Sequence, residues 1–299
     1  MTTIVMTGGS SGFGALAAQR LAHSSDIRLI AGERSPSADA VGLDLASLES
    51  VRVFAAAVRE LLGESTIDVL ILNAGTILPD IAGRTADGYE TCFAVNHLGH
   101  YLLLRLLLPS LAEHGRILLT TSGTHDPATG AGLALPRHAD AELLAHPDRD
   151  PGRAPKARTA GQHAYTASKL CAVLTVRALN ANPDIRSRHL IALAYDPGQV
   201  FGTGLARDLA LPLRIAWSVL GTPVGAPLRR FNRNLNTPAA AANALAELAR
   251  GTVTPPPGRS YAALRRGEIT WPDPSEMARR DDLAAALWDD SARLVGLAD

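Results

Sequence analysis

Two hydrophobic periods alternate along the chain. Short apolar, β-branched runs at Thr3 to Thr7, Ile27 to Ala31 and Val69 to Leu72 read as strands buried on both faces. Between them apolar residues recur every three to four positions over Gly12 to Ala22 and Leu48 to Leu62, the spacing of amphipathic helices. The rhythm continues with helices expected near Tyr89 to Ala112 and Tyr165 to Asn180. Strands are expected at Gly115 to Thr121, His189 to Tyr195 and Ser260 to Leu264, the last closing the sheet. Strands separated by helices imply βαβ units, so the pattern predicts an α/β fold, a doubly wound Rossmann-type parallel sheet flanked by helices. A late helix is signalled by Thr237 as N-cap, Pro238 in its first turn and Gly251 past its end.

Two stretches interrupt this rhythm. Residues 123–162 are rich in Pro, Gly, His and charge and read as an insertion on the substrate side, with a short helix around Asp140 to Ala145. Residues 201–236, with Trp217, Leu220 and several prolines, read as a lid over the carboxyl ends of the strands. There is no internal repeat, and 299 residues are expected to form a single domain, 1–299.

Composition narrows the partners. The chain carries 29 basic and 29 acidic residues, so it has no strong field for nucleic acid or an anionic membrane, and a small neutral substrate suits it better. No span long enough to cross a bilayer is expected, because the most apolar run, Tyr101 to Leu111, contains Arg105 and Pro109. Two cysteines, Cys92 and Cys171, cannot form a disulfide framework, and no signal peptide is expected, so the expected location is the cytoplasm. The insert's histidines, His125, His138, His146 and His163, have irregular spacing, so no metal is expected. Basic residues are nearly all arginine, as in a high-GC, bacterial genome. The only lysines are Lys156 and Lys169, which makes a lysine at a chemically apt position harder to ascribe to chance.

Candidate chemistry starts at Thr7-Gly8-Gly9-Ser10-Ser11-Gly12-Phe13-Gly14, which joins the first strand to the first helix. In that context glycines bring backbone N–H groups, and the helix dipole, onto a pyrophosphate. Further on, Tyr165 and Lys169 stand at i and i+4 of one helix and share a face. The tyrosine can donate or accept a proton, and a neighbouring ammonium is expected to draw its pKa toward neutrality. A solvated Tyr–Lys face is the bland alternative.

These motifs, with Ser122 at the end of a strand upstream, resemble the short-chain dehydrogenase/reductase family over nearly the whole chain. The resemblance implies a nicotinamide cofactor and a catalytic set of Ser122, Tyr165, Lys169 and Asn96. Ser122 would hold the substrate oxygen, Lys169 the nicotinamide ribose, and Asn96 a water of the proton relay. It also implies cofactor contacts at Gly8, Ser10, Ser11, Gly12, Phe13, Gly14, Asp44, Leu45, Asn73, Ala74, Gly75, Pro197, Gly198, Val200 and Thr203. Arg34, just past the second strand, matches an arginine that binds the 2′-phosphate of NADP(H), which is favoured. Glu33 beside it leaves NAD(H) open.

Asp44 to Val51, Thr85 to Glu90 and Val95 to Leu102 look like the retinol dehydrogenase and light-dependent protochlorophyllide reductase branch. Gln199 stands where the pigment reductases commonly carry cysteine, and the insertion separates Ser122 from Tyr165 far more than in compact members. The expected activity is hydride transfer between nicotinamide and a small hydrophobic carbonyl or alcohol. The alternatives are reduction of an activated C=C bond and a non-catalytic cofactor-binding regulator. Relatives associate through the helices near Leu102 and Leu170, a surface that an insertion can cover, so both a homodimer and a monomer fit.

Overall fold

The computed structural model describes residues 1–35, 40–201 and 232–297. In chain order it runs β1 (Thr2–Thr7), α1 (Gly12–Ala22), β2 (Ile27–Glu33), β3 (Ala40–Gly42), α2 (Leu48–Leu62), β4 (Ile67–Leu72) and α3 (Thr91–Phe93). A π-helical turn (Ala94–Leu98) leads into α4 (Gly99–Leu107), β5 (Leu111–Thr120), α5 (Ala141–Ala145), α6 (Ala157–Ala181), α7 (Pro183–Ser187), β6 (Ile191–Asp196) and β7 (Gln199–Val200). After residue 231 come β8 (Leu235–Asn236), α8 (Pro238–Arg250), β9 (Tyr261–Arg265), β10 (Glu268–Thr270) and α9 (Asp281–Leu294).

Among the described residues eight strands form one sheet in the order β10-β9-β6-β5-β4-β1-β2-β3, with every pair parallel except β10 against β9. The run β3-β2-β1-β4-β5-β6 is the doubly wound order, in which the chain leaves β1 in both directions and opens a crevice at the carboxyl ends of β1 and β4. Helices α2, α4, α6 and α9 pack one face through a core that includes Phe54, Phe93, Leu104 and Leu174, while α1 and α8 pack the other through Leu21, Leu245 and Leu248. Helix α2 illustrates the local logic. Its buried positions Val51, Phe54, Ala55, Val58 and Leu62 form one stripe, Ser47 Oγ accepts from Ser50 N, and Gly63 ends the helix at φ 57°.

Several expectations need correction. The strand near Ser260 does not close the sheet: Arg266-Gly267 turns the chain back and β10 adds an antiparallel edge. The helix expected from Tyr89 to Ala112 instead starts at Thr91, widens into the π turn and yields to β5 at Leu111. Strand β3 and helix α9 were not foreseen. The insertion is more ordered than a loop, because α6 starts at Ala157 and the Thr166 hydroxyl donates to Ala134 O at 2.9 Å, fastening the insert to that helix. Residues 202–231, most of the expected lid, lie outside the described residues. No described helix is long and apolar enough to cross a membrane.

Candidate active site

The parallel strands end nearly in register, so the turns after β1, β4, β5 and β6 converge at one edge. Thr7 pairs with Leu72, Leu72 with Leu119, and Thr120 with Tyr195. Gly8, Ser10, Ser11, Gly12, Phe13 and Gly14 follow β1. Gly8 adopts φ +69°, and a Cβ there would lie 2.7 Å from Ala74 N. At Gly14 a Cβ would meet Gly8 O at 2.0 Å, so only glycine lets α1 begin against the turn. Ser11 caps α1 without a side-chain hydrogen bond to the helix, and Ser10 and Ser11 are exposed. The first N–H groups of α1 therefore face the crevice with the helix dipole behind them, a cradle that fits a dinucleotide's phosphates.

Arg34 follows β2 and is exposed, with Glu33 half-buried beside it. Asp44 lies exposed past β3, where one carboxylate oxygen accepts from Ala46 N at 3.0 Å, and Leu45 is buried beneath it. Asn73, Ala74 and Gly75 follow β4. Asn73 is a rivet: its Nδ2 donates to Gly8 O at 3.0 Å and its Oδ1 accepts from the Thr120 hydroxyl at 2.9 Å. Pro197 and Gly198 follow β6, and Gly198 turns at φ +72° with its N–H held by Asp196 Oδ1 at 2.9 Å. Val200 is buried in β7. Thr203 lies outside the described residues.

Ser122, Tyr165 and Lys169 come together at this edge. Tyr165 is 5% exposed, with the Ser122 side chain beside its phenol, and Lys169 Nζ stands 5.9 Å from the phenol ring centroid. Lys169 donates to Thr120 O at 3.2 Å. The expectation that Lys169 draws the phenol toward neutrality is not met here. Burial pushes the Tyr165 pKa well up, Cys92 and Asp196 push the same way, and only the neighbouring Ser122 opposes them. Burial also lowers Lys169, to about 8.

Asn96 sits in the π turn, a helix irregularity common at functional sites. Its amide grips the backbone of Thr76, accepting from Thr76 N at 2.8 Å and donating to Thr76 O at 2.9 Å, and it reaches Ser168 Oγ on α6 at 3.0 Å. Gly75 fills the remaining gap, since a Cβ there would lie 3.3 Å from Lys169 Nζ and 3.4 Å from Asn96 Oδ1. The sequence assigns no role to Thr76, Cys92, His100 or Ser168 at this site. For His100 a signal existed, because it stands at i+4 from Asn96 on the same helix. The insert histidines find ordinary partners: His125 Ser275, His138 Asp150, His163 Leu135 O, and His146 the Tyr89 ring. Among the described residues no group of His, Cys, Asp and Glu is placed to hold a metal ion.

Comparison with known proteins gives this arrangement a context. A short chain dehydrogenase family profile matches residues 2–131. Protochlorophyllide reductase B of rice (Oryza sativa subsp. japonica), a chloroplastic protein, is 30% identical over 324 residues, covering 99% of this chain and 78% of its own. A crystal structure of an uncharacterized protein from Mycobacterium paratuberculosis superposes with a TM-score of 0.67 at 26% identity, covering 99% of this chain and 94% of its own. The 3-alpha-hydroxysteroid dehydrogenase of Pseudomonas sp. B-0831, solved with NADH, shares the fold with a TM-score of 0.58 at 23% identity, over 83% of this chain and 89% of its own. With a rice relative matched almost end to end and the motifs gathered at one sheet edge, the chain belongs to the short-chain dehydrogenase/reductase family of nicotinamide-dependent oxidoreductases.

Proposed function

We propose that this protein is an NADP(H)-dependent oxidoreductase that reduces a small hydrophobic carbonyl compound, or oxidises the matching alcohol, with Tyr165 as the acid/base. The observation that carries this reading is the buried Tyr165 phenol with Ser122 beside it and Lys169 Nζ 5.9 Å from its ring, at the edge where the glycine turn lies. Ile77, Leu78, Ile81 and Leu133 pack around Tyr165, Cys92 and Ala164, an apolar setting that suits a hydrophobic substrate. One sheet draws strands from Thr2 to Thr270, which supports reading the chain as one domain.

The glycine turn and the first N–H groups of α1 would hold the cofactor's phosphates, with Arg34 at the adenosine ribose and Pro197, Gly198 and Val200 at the nicotinamide. When bound, the nicotinamide supplies or accepts the hydride. Ser122 donates to the substrate oxygen on which charge develops, and Tyr165 delivers the proton to that oxygen. Because burial keeps the Tyr165 phenol protonated, the site as folded suits proton donation, the direction of reduction. Lys169 places a positive charge beside the phenolate that remains. Exposed Arg34 offers a guanidinium to a 2′-phosphate, which supports NADP(H) over NAD(H).

The rice relative's name supports a second reading, reduction of a C=C bond with Tyr165 protonating carbon. Ser122 favours the first, since a second hydroxyl beside Tyr165 serves a reacting oxygen better than a reacting carbon. The test is NADPH and NADH consumption in the dark with hydrophobic aldehydes, ketones and enones, the products being identified by mass spectrometry. Ketone reduction driven by NADPH and lost at least a thousandfold in Tyr165→Phe is expected, with NADPH binding retained. Enones saturated at C=C while ketones stay intact would establish the second reading. Consumption unchanged in Tyr165→Phe would remove Tyr165 from the mechanism.

A further inference from the structure

His100 is 4% exposed and takes no part in the chemistry described above, yet both ring nitrogens have partners. Nδ1 lies 3.2 Å from the Asn96 carbonyl oxygen, and Nε2 lies 2.9 Å from Thr7 Oγ1. A carbonyl oxygen only accepts, so Nδ1 carries a proton. Burial lowers the His100 pKa to about 4, so at neutral pH the ring has one proton and Nε2 presents a lone pair. Thr7 must then donate to it. The Thr7 oxygen meanwhile accepts from Asn73 N at 3.0 Å and Ala74 N at 3.1 Å, which fills its acceptor capacity and leaves its proton free for His100. Every hydrogen bond in this chain thus has a single allowed direction: Asn73 and Ala74 N–H to Thr7, Thr7 O–H to His100, and His100 N–H to Asn96.

The chain's ends carry its meaning. Thr7 is the last residue of β1, one position before the glycine turn, and it also fixes the start of the Asn73-Ala74-Gly75 segment. Asn96 belongs to the π turn and holds Thr76 and Ser168 beside Lys169. We propose that His100, as an Nδ1–H donor and Nε2 acceptor, is a positioning residue that locks the cofactor-binding turn to Asn96 and thereby to the catalytic helix. This deepens the proposed function and rests on it, because the coupling matters only if the turn holds a cofactor. An ordinary packed histidine would fill the same space, but it would need neither this tautomer nor a donor and an acceptor on opposite sides.

Two measurements test the proposal, and neither needs the substrate. In protein labelled with ¹⁵N-histidine, with the resonance assigned by its loss in His100→Gln, His100 is expected as the Nδ1–H tautomer and unprotonated from pH 8 down to pH 5.5. An Nε2–H tautomer, or titration near pH 6.5, overturns the assignment. In the second, the Kd for NADPH is measured by fluorescence for His100→Leu, which removes both hydrogen bonds, and His100→Gln, which keeps one donor and one acceptor. The Leu variant is expected to bind NADPH at least tenfold more weakly and the Gln variant within threefold of the native protein, at similar melting temperatures. Equal weakening in both variants, or none in either, sinks the coupling. If the Leu variant does not fold, the tautomer measurement on the native chain still decides. NADPH bound without turnover of any substrate would count against the proposed activity and leave this test intact.

Discussion

Lys169 sets a charge where the fold would rather have none. Its residue is 5% exposed, and burial lowers its pKa from the usual 10.5 to about 8. The folded chain therefore releases this proton more readily than the unfolded chain does. Below about pH 8 both states hold the proton and the buried ammonium costs stability. Between about pH 8 and 10.5 the unfolded chain binds more protons, so stability rises with pH across that window. Lys169→Met is thus expected to melt several degrees higher than the native protein at pH 7 while losing turnover, and the gap should shrink as pH climbs above 8. Thermal melts from pH 7 to 10 check this, and a less stable variant at pH 7 would contradict the argument. The sequence displayed Tyr165 and Lys169 on one helical face because i, i+4 spacing is a property of the helix alone. It could not display the balance between burial and charge at Tyr165, which depends on Cys92, Ser122 and Asp196 arriving from other elements.

Between elements, the P-G turn after β6 depends on a buried ion pair. Asp196 is wholly buried, and its carboxylate accepts from Gly198 N, from Arg265 Nη2 of β9 at 2.7 Å and from the Tyr261 hydroxyl at 3.1 Å. Removing one partner of such a pair strands a charge away from water, at a cost of about 3–5 kcal/mol. Arg265→Leu is expected to lose stability on that scale in urea denaturation and to bind NADPH more weakly, since the Gly198 turn loses its fixed anchor. Converting Asp196 to Asn in the same chain should recover part of the stability. Full native stability in the single variant would show that the pair contributes nothing. Elements with strong local signals were legible: α1 and α2 match their periodic stretches, and α8 carries a Thr237 side-chain cap at one end and Gly251 in the left-handed region at the other. Helix α9 carries helical spacing in its buried Ala284, Leu287, Ser291 and Ala292, but Arg280 at its N-cap gives no start signal. Strands β3 and β10 are three residues each, too short for any period to show. The π turn leaves the apolar pattern intact while rotating Asn96 into place, a change no hydropathy pattern records.

For the whole molecule, the question is what covers the apolar face of α4 and α6. Leu102, Leu103, Leu104 and Leu107 of α4 and Leu170, Val173 and Leu174 of α6 are buried within the single chain. Helix α9 lies on this face. The Trp288 ring meets Tyr101 edge-on at 5.0 Å between centroids, with the Arg105 guanidinium 5.1 Å from Trp288. Tyr101 donates to Trp288 O at 2.8 Å, His97 Nε2 bonds Ser291 Oγ at 2.8 Å, and Arg177 pairs with Asp281 at 2.6 Å. Burial holds His97 at about 3, so its imidazole stays neutral and this docking should survive mild acid. A face whose leucines are already buried by its own chain has little apolar area to give a second copy, and without such burial two folded copies gain little to offset the entropy of association. The protein is therefore expected to run as a 31.4 kDa monomer in size-exclusion chromatography with light scattering, unchanged from micromolar to tens of micromolar. Ending the chain after Arg280 removes α9 and bares that face, so the truncated protein should dimerise or aggregate. A native dimer that persists on dilution would mean that a surface other than this face joins the subunits.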